Sequence, residues 1–148
     1  MILFKNIQKS YGGDTVVLHD INIKIEDGDF VLLVGQSGAG KSTLMYQLSV
    51  LDEPSKGELV INGINVRRLS EQERTAFRLN TLGYVFQNYA LVPDLSAQEN
   101  VMMPLLMAGH DWGEAKDQAI AMLDQVGLVN KYCNLPGMLS GGEQQMLA

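Results

Sequence analysis

The feature that most constrains the fold is an apolar run that leads directly into a glycine-rich loop. Residues 31–34 read Val-Leu-Leu-Val, and residues 35–43 read Gly-Gln-Ser-Gly-Ala-Gly-Lys-Ser-Thr. The loop matches the phosphate-loop template G-x-x-x-x-G-K-[ST] at all four fixed positions. Those positions are Gly35, Gly40, Lys41 and Ser42. The pattern predicts a buried strand over 31–34, a loop, and a helix over about 41–50.

A loop of this kind binds phosphate because its backbone N–H groups can converge on an anion. Glycines allow that approach without a Cβ in the way, and the following helix adds the positive end of its dipole. Lys41 would supply charge to the β- and γ-phosphates, the Ser42 hydroxyl would bind Mg²⁺, and the Thr43 hydroxyl would reach a further phosphate. The alternative is a tight turn without a ligand. The candidate binding residues are Gly35, Gln36, Ser37, Gly38, Ala39, Gly40, Lys41, Ser42 and Thr43.

Composition narrows the class of protein. The 148 residues include 46% hydrophobic residues, which suits one domain with a sizeable core. The net charge of −6 argues against nucleic acid as the main partner. The single cysteine, Cys133, excludes an internal disulfide and fits a reducing compartment. Because there is neither an apolar run of about 20 residues nor a signal-peptide layout, we expect a cytoplasmic chain that reaches a membrane only through a partner.

The first half of the chain predicts an antiparallel β layer around the loop. Strands are expected over 1–9, 15–18 and 21–25, and another over 58–62 that ends in an Asn-Gly hairpin turn. Tyr11 falls in the glycine-flanked turn between the first two strands. An exposed aromatic ring there could stack on a base, or it could pack under its own turn, and the residue pattern leaves both open.

The second half predicts a short apolar strand followed by helices. The strand covers 82–87 and ends in Gln87. Capping-box sequences at Ser70 and Ser96 predict two helix starts, and an amphipathic helix is expected over 111–126. Residues 139–144 then read Leu-Ser-Gly-Gly-Glu-Gln, which predicts a Ser-Gly-Gly turn at the start of a helix, a second anion-binding nest.

This last motif resembles the signature motif of ATP-binding cassette (ABC) proteins, and the resemblance extends over the whole chain. It implies an α/β fold: a P-loop nucleoside triphosphatase core with an antiparallel β layer and a helical subdomain. Within a partial ABC ATP-binding domain over 1–148, it places the β layer and core in 1–91. The helical subdomain is expected in 92–139, and the signature motif with the start of its helix in 139–148.

The same resemblance implies roles for individual residues, with ATP and Mg²⁺ as the ligands. Tyr11 would stack on adenine, and Gln87 would be the Q-loop glutamine, which contacts Mg²⁺ or the attacking water and faces a membrane partner. In a head-to-tail homodimer, the signature residues of one copy would cover the nucleotide on the phosphate loop of the other. Those residues are Ser140, Gly141 and Gly142.

Three stretches are similar to the ATP-binding subunits of lipoprotein-release and macrolide- or peptide-export systems. They cover 64–70, 82–93 and 99–109. This resemblance implies an energising subunit that couples ATP binding and hydrolysis to a transmembrane permease, on the inner face of the cell membrane. The alternatives are a non-transport ABC ATPase, such as a cell-division or translation factor, or an inactive truncated product.

Part of the family pattern is not found in these 148 residues. After the signature helix, family members carry an apolar strand ending in aspartate and glutamate (the Walker B pair), and then a switch histidine. Neither His19 nor His110 stands in a position to serve as that histidine. We therefore expect a chain truncated before Walker B, with weak ATP binding and little or no hydrolysis.

Overall fold

The computed structural model describes residues 1–12 and 15–148. They fall into two compact units, Met1–Arg78 and Leu79–Ala148, and the boundary lies within a helix. The finer division predicted from the sequence, at 91 and 139, stays a prediction.

The first unit contains a four-stranded sheet in which every neighbouring pair is antiparallel, in the order β2-β1-β3-β4. Its strands are β1 (Ile2–Tyr11), β2 (Thr15–Ile25), β3 (Lys56–Ile61) and β4 (Ile64–Asn65). The predicted antiparallel layer is thus confirmed. The two strands predicted over 15–18 and 21–25 form one strand, β2, whose pairing with β1 shifts register between Leu18 and Ile21. Asp20 lies within that shift, with a φ of 48°.

The core of this unit depends on a break in the alternation of β1. Phe4 and Ile7 are both buried, although residues three apart on a regular strand point to opposite faces. Asn6 between them takes a φ of 50°, and the pairing of β1 with both neighbours shifts there. A bulge of this kind turns the strand enough for both side chains to join Leu59 and Ile61 in the core.

The helices of the first unit are short. Helix α1 (Lys41–Leu48) follows the glycine-rich loop, and a 3-10 turn (Val66–Arg68) precedes α2 (Glu71–Thr81). Helix α2 begins as its capping box predicts, since the Ser70 hydroxyl accepts from the Glu73 N–H at 3.3 Å and the Glu73 carboxylate accepts from the Ser70 N–H at 2.8 Å.

The prediction of a buried strand over 31–34 is wrong. These residues carry no strand structure, and all four side chains are exposed, Leu32 to 75% and Val34 to 73%. A parallel strand depends on hydrogen bonds from neighbouring strands and on cover over both faces. Within residues 1–12 and 15–148 the sheet consists of β1 to β4 alone, so the segment has no ladder partner.

The second unit is helical. It contains α3 (Ala97–Met107), α4 (Trp112–Gln125), a 3-10 turn (Pro136–Met138) and α5 (Gly141–Leu147). The N-caps are Ser96, Asp111 and Ser140, each of which accepts a backbone N–H three residues on. Two adjoining clusters form its core, one around Leu123 and Leu128 and one around Met102 and Ala119. The predicted helices are confirmed, and so is the predicted capping box at Ser96.

The prediction of a strand over 82–87 is also wrong. The segment has no regular structure and ends in a turn at Gln87, which is exposed. The rings of Tyr84 and Phe86 pack on each other with centroids 4.4 Å apart, and the Tyr89 N–H donates to the Phe86 carbonyl at 3.0 Å. Local contacts of this kind take the place of a strand ladder, because no strand of the described sheet pairs with this segment.

Across the described parts of the chain, 1–12 and 15–148, no helix combines the length and the apolar character that crossing a bilayer requires.

Candidate nucleotide site

The start of α1 presents an uncapped helix terminus. Its N-cap, Gly40, is left-handed with a φ of 85°, no side chain caps the first turn, and no acidic residue lies in it. A Cβ at position 40 would also lie 3.1 Å from Leu18 Cδ2 and 3.2 Å from the Val17 carbonyl oxygen, so glycine is required here for conformation and for space. The first N–H groups of α1 are therefore left for an anion, at the positive end of the helix dipole.

The Lys41 ammonium lies folded into its own loop. Its Nζ donates to the Gly35 carbonyl at 2.8 Å and to the Gln36 carbonyl at 2.6 Å. A phosphate brought to the start of α1 would compete for the same ammonium. A phosphate oxygen carries much more negative charge than a carbonyl oxygen, so it attracts the ammonium more strongly and the exchange favours the phosphate.

A cavity of about 230 Å³ opens at this helix terminus. It is lined by Val17, Ser37, Gly38, Gly40, Lys41, Ser42 and Thr43. Three residues with hydroxyl side chains and one lysine thus line a single space, which suits an anion together with a hard cation. No group of three or more His, Cys, Asp or Glu side chains in residues 1–12 and 15–148 could hold a metal. Mg²⁺ commonly takes few protein ligands and completes its coordination shell with phosphate and water oxygens. The Ser42 hydroxyl is therefore suited to be one of its protein ligands.

Tyr11 lies at the end of β1 and is 45% exposed. Its hydroxyl donates to the Asp52 carboxylate at 2.9 Å, and the Lys9 Nζ lies 4.9 Å from the ring centroid. Partial burial raises the pKa of the Tyr11 phenol, and the Asp52 carboxylate raises it further, while the Thr43 hydroxyl acts in the opposite direction. The Tyr11 hydroxyl is thus held by Asp52, which lies 41 residues away in the sequence.

The signature residues lie in the second unit, at the start of α5. The Ser140 hydroxyl accepts from the Glu143 N–H at 3.3 Å, and the Ser140 N–H donates to the Glu143 carboxylate at 2.7 Å. That backbone bond, with help from the Ser140 hydroxyl and Lys131, lowers the pKa of Glu143. The capping box leaves Gly141 and Gly142 exposed at the helix start.

Sequence comparison identifies the family. The family described as ABC transporter matches residues 18–148, far more than half of the chain. The chain belongs to the ABC transporter family.

Its relatives within that family include separate ATP-binding proteins and larger fusions. The lipoprotein-releasing system ATP-binding protein LolD of Bacteroides thetaiotaomicron is 43% identical over 148 residues, which cover 100% of this chain and 67% of LolD. The pyoverdine export ATP-binding/permease protein PvdT of Pseudomonas fluorescens is 45% identical over 152 residues, which cover 100% of this chain and 23% of PvdT.

A solved structure confirms the ABC fold. The dimeric ATP-binding cassette MJ0796, in a post-hydrolysis state bound to ADP and Pi, superimposes with a TM-score of 0.88 at 36% identity. The match covers 99% of this chain and 66% of that one. This ABC chain therefore spans about a quarter of the fused relative and about two thirds of the separate cassettes.

The structure brings the predicted phosphate residues of the ABC chain together in the first unit, whereas Gln87 and the signature residues lie in the second. Three residues around Tyr11 were missed by sequence reasoning: Lys9, Gln47 and Asp52. Lys9 and Tyr11 are two apart on one strand, a spacing that puts side chains on one face. Asp52 gives no such local signal, because it lies 41 residues from Tyr11.

Proposed function

We propose that this chain is the nucleotide-binding region of the ATP-binding subunit of an ABC transporter, of the exporter or lipoprotein-release type. The observation that carries the proposal is the uncapped start of α1, where three hydroxyls and Lys41 line one cavity. The transporter type is supported by the printed functions of LolD and PvdT.

In the proposed site the two ends of ATP are held by different groups. The loop N–H groups and Lys41 bind the β- and γ-phosphates, and the ring of Tyr11 stacks on adenine. Ser42 would hold Mg²⁺, which neutralises phosphate charge when bound. Thr43 lies between these ends, since it lines the phosphate cavity and its hydroxyl also acts on the Tyr11 phenol.

A second copy of the chain would complete the site. We assign Ser140, Gly141 and Gly142 to the γ-phosphate of the nucleotide bound by a partner subunit in a head-to-tail dimer. Support comes from the exposure of Gly141 and Gly142 at a helix start, and from the dimeric state of MJ0796. ATP would close such a dimer, and hydrolysis would reopen it.

The proposed membrane partner is a permease. PvdT and the macrolide exporter MacB of Hyphomonas neptunium are each named as an ATP-binding/permease protein, so in those relatives the two activities belong to one chain. We place this chain at the inner, cytoplasmic face of the cell membrane, in contact with the permease through the exposed Gln87 turn.

Calorimetric titration of the chain with ATP and Mg²⁺ tests the nucleotide site. We expect binding that weakens at least about tenfold in Lys41→Ala, because a charge-assisted contact to phosphate is lost. Lys56→Ala, on an exposed β3 position, is the matched control and should bind as the wild type does. Equal affinity of Lys41→Ala and the wild type would overturn the proposal.

A further inference from the structure

We propose that Asp52 is a positioning residue for the base: it holds the Tyr11 ring in a fixed place relative to the helix that carries the phosphate loop. The inference rests on the proposed function, since it takes Tyr11 as the base-stacking residue. Asp52 itself touches no part of the nucleotide in this account and acts through Tyr11.

Each oxygen of the Asp52 carboxylate accepts two hydrogen bonds. Its Oδ2 accepts from the Tyr11 hydroxyl at 2.9 Å and from Gln47 Nε2 at 3.0 Å. Its Oδ1 accepts from Lys9 Nζ at 2.5 Å and from the Glu53 N–H at 2.8 Å. One carboxylate therefore joins the end of β1, which contributes Lys9 and Tyr11, to α1, which contributes Gln47.

The α1 side of this link is rigid. Gln47 is fully buried at 0% exposure, one helical turn beyond Thr43. Its Nε2 donates to Asp52, while its Oε1 is buried and has no partner among residues 1–12 and 15–148. An amide buried in this way has few other orientations available to it, because turning would also bury its donor without an acceptor. The carboxylate is thus tied to the same helix whose first turn begins at Lys41.

The β1 side determines which face of the ring is free. Lys9 is 9% exposed, and its ammonium also donates to the Glu53 carbonyl at 2.6 Å, so it is fixed over one face of the Tyr11 ring. A base must then stack on the opposite face. Because the hydroxyl is anchored to Asp52, the plane of that face is set relative to α1, and so relative to the phosphates.

If the Lys9–Asp52 ion pair had only a structural role, its removal would lower the stability of the fold without changing base recognition. A measurement of base recognition therefore tests the inference. The probes are ATP, which carries the base, and inorganic tripolyphosphate, which carries only the phosphates. The measured quantity is the ratio of the tripolyphosphate Kd to the ATP Kd for the 148-residue chain with Mg²⁺. Stacking predicts a wild-type ratio of about fivefold to about 150-fold, and a ratio near one in Tyr11→Ala.

Removal of the carboxylate should lower this ratio and leave tripolyphosphate binding unchanged. We expect Asp52→Ala to reduce the ratio by about three- to tenfold, the effect of one hydrogen bond, and Tyr11→Phe to reduce it similarly. In the Tyr11→Phe background, Asp52→Ala should have no further effect on the ratio, because its route to the base has already been removed. Glu58→Ala is the matched control, since it also removes a carboxylate that pairs with a lysine of β1.

Far-UV circular dichroism checks that each variant is folded, and Asp52→Asn serves if Asp52→Ala is not. The inference is overturned if Asp52 variants weaken ATP and tripolyphosphate binding equally, or if their effect on the ratio persists in Tyr11→Phe. Failure of the proposed function looks different: the wild type itself would then bind ATP no more tightly than tripolyphosphate, or would bind neither.

Discussion

Replacement of Gly57 by alanine should destabilise the first unit severely, because position 57 offers a side chain neither a favourable backbone conformation nor space. Gly57 has a φ of 92°, where L residues are disfavoured by about 1–2 kcal/mol. An added Cβ would lie 2.4 Å from the Asn6 carbonyl oxygen and 2.6 Å from that of Lys5. Relief of this overlap must separate β3 from the bulge in β1, which we value at about 1–3 kcal/mol by analogy with overpacked cores.

The expected loss for Gly57→Ala is therefore about 2–5 kcal/mol, a large part of the roughly 5–15 kcal/mol of a typical domain. Gly28→Ala isolates the conformational part, because Gly28 has a φ of 88° with no atom within 4 Å of its added Cβ. Urea denaturation followed by circular dichroism gives both values. If Gly57→Ala loses no more stability than Gly28→Ala, the close approach of β3 to β1 is not as described.

Three further predictions concern the helices and Tyr11. Leu123→Ala should destabilise the second unit by about 2–5 kcal/mol in urea denaturation, because Leu123 is buried to 1% exposure in its core; a loss below 1 kcal/mol would contradict that packing. Hydrogen bonds from Ser96 lower the pKa of Glu99 in the folded state. The stability that the ionised Glu99 contributes is therefore present above its pKa in the unfolded chain, about 4.3, and is lost as pH falls through the lowered pKa of the folded state. Urea midpoints between about pH 5 and about pH 3 should hence fall less steeply in Glu99→Gln than in the wild type, and equal slopes would argue against the capping box. The Tyr11 phenol should have a pKa above its ordinary value of about 10, and Asp52→Asn should lower that pKa. The pKa is measured from the absorbance at 295 nm, as the difference between the wild type and Tyr11→Phe, and an unshifted value would contradict the hydrogen bond to Asp52.

Local signals in the sequence predicted the helices well. The capping boxes at Ser70 and Ser96 each consist of groups within four residues of one another, so the sequence shows all the groups that interact. The glycine-rich loop is equally local, and it predicted the start of α1 at Lys41.

Features that depend on distant partners were predicted poorly. The apolar runs at 31–34 and 82–87 have the composition of parallel strands, but strand structure requires a neighbour, and composition does not supply one. The contacts of Asp52 were missed for a related reason. They join Asp52 to Lys9 and Tyr11, which precede it in the sequence by 43 and 41 positions. Resemblance to the ABC family implied that Tyr11 stacks on adenine, which the residue pattern alone did not decide. It implied no role for Asp52, whose carboxylate accepts a hydrogen bond from the Tyr11 hydroxyl.

In the proposed complex, one nucleotide is held between Tyr11 and the start of α1. Isotope-filtered NOE spectra of the labelled chain with unlabelled ATP and Mg²⁺ test this most directly. We expect NOEs between the adenine protons and the Tyr11 ring, together with amide shifts confined mainly to the glycine-rich loop and the first turn of α1. Adenine NOEs to another aromatic residue, with Tyr11 unaffected and the loop amides unshifted, would contradict it.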